Sequence, residues 1–364
     1  MSASEKDESF NKMLQGLEDE ATQGYIHVVD MPGTRGNVRL YNYTRRATFK
    51  GRWNLYTCRA RGLILDIPQK LIVACPFPKF FNYGELPKYN DSAIPKQSHF
   101  EAFPIGTMIT EKMDGSLGIL FWYEEKWWVS TRGSFTSSQA VWALEWLRTG
   151  GVLEKMVPGI TYLCEIIYPG NKIVIDYGTE DLVLLGAYRS NGDEIIDLES
   201  LNTGLHIAPS FSFTGASQIE EVCKTLPSSK EGYVVRLPSG ERCKFKGDAY
   251  NIAHKVRSGF TPELVWNNLL WCIPNPKEVL PEEFYDEYDQ MEGDIIGKLR
   301  VILLHVTFLG TQYANRDRKD IALDSTLDQS EKMLIFLAKT PGWEVSYQRP
   351  NHKVRRTIFE IAKK

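Results

Sequence analysis

Thr110-Glu111-Lys112-Met113-Asp114-Gly115-Ser116-Leu117 places a lysine two residues before an Asp-Gly step, between apolar and aromatic flanks. As local structure, Asp-Gly between hydrophobic runs signals a tight hairpin turn. As chemistry, the same stretch holds an amine at the end of a strand, where it can act as a nucleophile. Average residue usage predicts about 0.1 K-x-D-G strings in a chain of this length, so the string alone is weak evidence of chemistry. The rest of the chain has to decide between the two readings.

Of 364 residues, 43% are hydrophobic and 24% charged. That is an ordinary globular balance, in a chain long enough for two domains and a sizeable core. The 43 basic and 46 acidic side chains leave a formal charge of -3, so any nucleic-acid surface must be a local patch rather than a global basic field. The six cysteines are scattered, with no C-x-x-C pair and no histidine at zinc-ligand spacing, and read as reduced thiols. Residues 1–7 are polar and no run of 18 apolar residues occurs. Neither a signal peptide nor a membrane span is expected, and the expected compartment is a reducing cytoplasm, that of the host if the chain is viral.

From Tyr25 to about Phe245, short β-rich runs dominate, among them Ile26–Val29, Val38–Tyr41, Leu63–Leu65, Gly118–Tyr123, Tyr162–Ile167 and Cys243–Phe245. Helical stretches at 137–148 and 217–224 interrupt them, which predicts a mainly antiparallel α+β domain. After about Asn251 the pattern changes. Residues 281–313 carry apolar side chains at alternating three- and four-residue steps, predicting one long amphipathic helix, and further helical segments follow. The expected organisation is therefore an α+β domain over residues 1–254 and a small all-α domain over 255–364.

A lysine attacks only as the neutral amine, yet its unperturbed pKa is about 10.4, so nearby cations are needed to disfavour the proton. Cys243-Lys244-Phe245-Lys246 supplies a pair, because the two-residue period of a strand puts both lysines on one face. A solvated strand face is the plain alternative. Glu165 lies within the apolar run Tyr162–Ile167, where a charge is costly unless paired or metal-bound. Glu231 precedes Gly232, which lets a ligand approach the backbone. Such carboxylates could hold ribose hydroxyls and a divalent cation, or could be salt-bridge partners. Arg59-Ala60-Arg61-Gly62 and Lys79-Phe80-Phe81-Asn82 suit phosphate contact and base stacking, or equally a core aromatic beside a surface lysine.

The order of these pieces, joined by Thr131-Arg132-Gly133-Ser134 and Pro169-Gly170-Asn171-Lys172-Ile173-Val174, resembles the covalent nucleotidyltransferase superfamily. Within it, the chain is most similar to the phage RNA ligase 1 family over roughly residues 25–255. The resemblance implies an antiparallel, ATP-grasp-like nucleotidyltransferase domain and an ATP-dependent RNA ligase. Lys112 would attack the α-phosphorus of ATP to give a lysyl-AMP. The AMP would pass to an RNA 5′-phosphate, and a 3′-hydroxyl would then displace it. It further implies that Glu165 binds the ribose, that Glu231 binds the metal, Mg2+ or Mn2+, and that Lys244 and Lys246 contact the α-phosphate. Tyr41, Arg61, Lys79, Phe81, Glu111, Gly115 and Arg132 would complete the nucleotide pocket. The implied partner is single-stranded or nicked-loop RNA bearing a 5′-phosphate and a 3′-hydroxyl, such as a broken tRNA, acted on by a monomer. Arg132 stands where the family often has lysine, exchanging a point charge for a fork. Met113 replaces a commonly acidic residue, and its side chain is expected to point away from the pocket. A DNA ligase or capping enzyme would share the lysine but would carry a second barrel of short strands, which the helical pattern of 281–313 contradicts. A non-catalytic nucleotide-binding or RNA-binding module would be expected to lack one of the lysines. The basic C-terminal residues Arg349, Lys353, Arg355, Arg356, Lys363 and Lys364 could grip an RNA backbone or merely be solvated.

Overall fold

The computed structural model describes residues 3–89, 91–274, 284–350 and 352–363. The expected helix start at 281–283 and the basic Lys364 lie outside the described residues, as does the side chain of Lys363. The chain divides into two compact units, Met1–His254 and Lys255–Lys364.

Three sheets build the first unit. In the first, β1 (Ile26–Asp30), β2 (Val38–Tyr43), β3 (Arg61–Asp66) and β4 (Leu71–Ala74) follow one another antiparallel. The second sheet draws on distant segments: β5 (Phe81–Asn82), β6 (Met108–Lys112), β12 (Ser210–Phe211), β13 (Gly232–Arg236) and β14 (Arg242–Lys246), in the order β12-β6-β13-β14-β5. Its only parallel pairing among the described residues joins β14 to β5. The third comprises β7 (Ser116–Tyr123), β8 (Lys126–Ser130), β9 (Ile160–Ile167), β10 (Asp181–Arg189) and β11 (Glu194–Ile195), ordered β11-β10-β9-β7-β8. Strand β9 is buried along its whole length, as its apolar run requires. The helix Ser138–Thr149, capped by the Ser137 hydroxyl on Ala140 N–H, lays Ala140, Ala143 and Leu147 onto this sheet's core.

The Asp114-Gly115 hairpin does not form. Strands β6 and β7 belong to different sheets, so the chain crosses from one to the other at residues 113–115. Gly115 is needed there for close approach: a Cβ would lie 2.5 Å from the Ile166 carbonyl oxygen.

The described part of the second unit is helical throughout. Its longest helix, Tyr285–Gln312, buries Tyr288, Leu299, Val306 and Leu309 at the predicted period. Arg355 is buried rather than available to RNA, and its guanidinium donates to the carbonyls of Leu269, Leu270 and Tyr347. No described helix is long and apolar enough to cross a membrane.

Candidate active site

Lys112 ends β6, and the sheet register sets Gly232 opposite it, with Lys246 opposite Gly232 on the next strand. The two lysines thus flank one glycine. Gly232 has φ +146°, and a Cβ there would fall 2.0 Å from the Phe245 carbonyl oxygen, so only glycine lets the strands close here. Just before it, the Glu231 carboxylate turns back between the two cations, 2.7 Å from Lys112 Nζ and 3.2 Å from Lys246 Nζ. Glu231 is 3% exposed. The buried carboxylate thus draws two lysines together at one point, and cationic side chains so placed suit an anionic ligand. Lys244 shares the intermediate burial of Lys246 on β14, while Cys243 and Phe245 are buried in the core on the other face.

Glu165 comes from the third sheet, opposite Leu117 in register. Burial raises its carboxyl pKa from the ordinary 4.5 to about 7. Lys112 opposes the rise, Glu231 adds to it, and Arg61 and the Gly115 N–H oppose it more weakly. Lys112, Glu231, Glu165 and Arg61 therefore share one electrostatic neighbourhood, and Arg61 reaches it from the start of β3 in the first sheet. Arg132 lies against Gly62, and its guanidinium donates to the Tyr43 hydroxyl at 2.7 Å. The Lys79 ammonium is buried among the rings of Trp53, Phe81 and Tyr43, 4.8, 5.1 and 5.4 Å from their centroids.

Three expected pocket residues are placed elsewhere. Tyr41 is fully buried beneath the N-terminal helix and donates to Glu18 at 2.7 Å; Tyr43, two residues on, meets Arg132 instead. Phe81 packs in the core against Trp53 and Tyr89, because in β5 it pairs with Cys243, which faces away from Lys244. The Glu111 side chain, one residue out of phase with Lys112, lies opposite Tyr233 and pairs with Lys230 at 2.8 Å. Met113 packs with Ile167, Val183 and Ala208 in a small apolar cluster.

The sequence reading missed the partners of Asp114. Its carboxylate is buried and accepts from Val174 N–H, Ile175 N–H and the Tyr250 hydroxyl at 2.8, 2.7 and 2.7 Å. Its own N–H donates to the Tyr177 oxygen at 2.8 Å. Nearby, Asn171 donates to the Ile166 carbonyl and accepts from the Ser116 hydroxyl. The one local signal was the Pro-Gly-Asn turn at 169–171 leading into Ile173-Val174-Ile175; nothing local marked Tyr250.

Among the described residues no cluster of three or more His, Cys, Asp or Glu could cage a metal. The donor set instead fits a magnesium-type ion carried in by phosphates, which needs only one or two protein carboxylates and keeps several waters.

A model of the RNA ligase family matches residues 59–250. The chain is 24% identical to an RNA ligase of Rhodothermus phage RM378, covering 88% of this chain and 89% of that one. It is 27% identical to an Autographa californica nuclear polyhedrosis virus protein provisionally named a bifunctional polynucleotide kinase/RNA ligase, covering 54% of this chain. This chain spans 31% of that longer protein. A Thermovibrio ammonificans protein provisionally named an RNA ligase is 30% identical over 53% of this chain and 52% of its own length.

Proposed function

Since this chain belongs to the RNA ligase family, in its phage RNA ligase 1 branch, we propose that it joins RNA 5′-phosphate and 3′-hydroxyl ends at the expense of ATP, through a lysyl-AMP on Lys112. The observation that carries this reading is the Glu231 carboxylate shared by Lys112 and Lys246 across Gly232. In the absence of nucleotide, Glu231 is ion-paired with both lysines. Lys246 and Lys244 meet the phosphate oxygens, and Glu231 would hold a phosphate-carried metal ion, which would supply charge neutralisation there. Lys112, whose side chain is 22% exposed, gives a proton to solvent water and attacks, and water also takes the second proton, lost after the attack. The Nζ–phosphorus bond forms as the bond from the α-phosphorus to its β-bridging oxygen breaks, pyrophosphate departs, and the new phosphoramidate nitrogen loses a second proton. Bound magnesium or manganese supplies charge neutralisation on the phosphates.

Glu165 accepts the ribose hydroxyls, and its half-protonation near neutral pH resolves toward the carboxylate when those donors arrive. Arg61, at the start of β3, and Arg132, in the turn after β8, face the phosphates, with Lys79 behind Tyr43 supporting the same wall. The 5′-phosphate of a single-stranded or nicked-loop RNA, such as a broken tRNA, takes the AMP, and a 3′-hydroxyl displaces it.

Mixing the chain with α-labelled ATP and magnesium is expected to leave label on the protein, and Lys112→Ala to abolish it. An unlabelled wild-type chain would refute this reading. A 5′-phosphorylated single-stranded RNA should be circularised or joined, and efficient sealing of nicked duplex DNA instead would move the activity to DNA.

A further inference from the structure

Three segments far apart in sequence meet at Asp114. The crossover at 113–115 carries it, residues 174–177 bind it with two N–H groups and the Tyr177 hydroxyl oxygen, and Tyr250 donates to its carboxylate. Tyr250 is fully buried, and Lys246 Nζ sits 5.4 Å from its ring centroid. The Tyr177 ring packs against the small apolar cluster around Met113. From there its hydroxyl feels the charges of both Glu165 and Glu231. A continuous path thus runs from Tyr177 through the Asp114 backbone and carboxylate to Tyr250 and on to Lys246. One branch holds the strand end that presents Lys112, and the other fixes the ring beneath the second lysine.

We propose that Tyr177 and Tyr250 are positioning residues that set the spacing of Lys112 and Lys246 through their shared partner Asp114. The inference rests on the lysyl-AMP reading above. Neither tyrosine needs to touch nucleotide. Each holds one side of the crossover, where β6 leaves one sheet and β7 enters another, and where no ladder of backbone hydrogen bonds between those two strands fixes the geometry. An error of about 1 Å in a reacting group can cost on the order of a hundredfold in rate. These hydroxyls should therefore matter to the chemical step far more than their place outside the nucleotide wall suggests.

The test is single-turnover formation of the lysyl-adenylate by the full chain, for wild type, Tyr177→Phe, Tyr250→Phe and the double variant, with ATP varied to separate rate from affinity. Tyr123→Phe serves as the control, since it deletes a hydroxyl that donates to Asp66 at 2.8 Å in another part of the unit. Each site variant is expected to lower the limiting rate about ten- to a hundredfold, with the half-saturating ATP concentration shifted less than threefold. The double variant should lose much less than the product of the single losses, because both act on one residue. Tyr123→Phe should keep the wild-type rate. A labelled wild type with tyrosine variants at its rate would overturn the positioning role alone, as would multiplicative losses or losses confined to ATP affinity. A wild type that takes no label would overturn the lysyl-AMP reading and the positioning role with it.

Discussion

Glu165→Gln removes a carboxyl that the fold holds against its preference for charge. In the unfolded chain this group titrates near its ordinary 4.5, and in the folded protein at about 7. Raised in the folded state, it contributes full relative stability only below about pH 4.5, and that stability is lost as pH rises through 7. The gap between 4.5 and about 7 corresponds to about 3 kcal/mol, and the group is buried enough for most of it to count. Between pH 5.5 and 8.5 the wild type should therefore weaken by about 2 kcal/mol relative to Glu165→Gln, the remainder having been lost before pH 5.5. Glutamine keeps an oxygen to accept the Gly115 N–H, so the comparison isolates the charge. Urea unfolding of both proteins at the two pH values, followed by tryptophan fluorescence, measures the difference. If the two curves keep a constant separation across that range, or if the glutamine variant loses ground as pH rises, the account of Glu165 as a carboxylate strained by burial is wrong. The same variant should bind ATP more weakly, a trade between stability and ligand binding expected of a site residue.

Four further outcomes follow from the geometry. Tyr41→Phe should cost about 1 kcal/mol in thermal stability through the lost bond to Glu18, and leave the half-saturating ATP concentration unchanged. Phe81→Leu should destabilise the core by about 1–2 kcal/mol while its adenylylation rate, measured well below the melting temperature, stays within threefold of wild type. Gly232→Ala forces a Cβ onto the Phe245 carbonyl, and label transfer from ATP should fall by at least about a hundredfold. Arg355→Ala leaves three carbonyls without their donor and should lower stability by about 2–4 kcal/mol, read as an earlier unfolding transition of the C-terminal unit.

The strands and the change to helices near residue 255 were legible because alternation and the three- to four-residue step are local signals. So was the same-face placement of Lys244 and Lys246, which needs nothing beyond the period of a strand. What misled was the meaning of Asp114-Gly115. A turn dipeptide between apolar runs says that the chain bends, and a hairpin is the commonest bend, but the run before Asp114 pairs with strands at 210–211 and 232–236, while the run after it pairs with 126–130 and 160–167. Tyr41 and Phe81 were misplaced for a related reason. Phe81 is one strand residue out of phase with Asn82, which pairs with Lys244, and alternation tells which residues share a face without saying which face is the interior. For Tyr41 the pairing register shifts between Tyr41 and Asn42, so Tyr43 does not continue its face. The buried partners of Asp114 come from residues 174–177 and 250, and no window short enough to show a pattern contains them.

Because β14 lies between β13 and β5, the second sheet cannot be completed until residues 242–246 exist. Arg61, Glu165 and Lys112 each belong to a different sheet. Lys112 and Lys246 lie more than 130 residues apart in the sequence, so synthesis makes the first long before the second. A chain that ends before residue 242 lacks both Lys244 and Lys246 together with the strand that joins β13 to β5, and is expected to take no label from ATP.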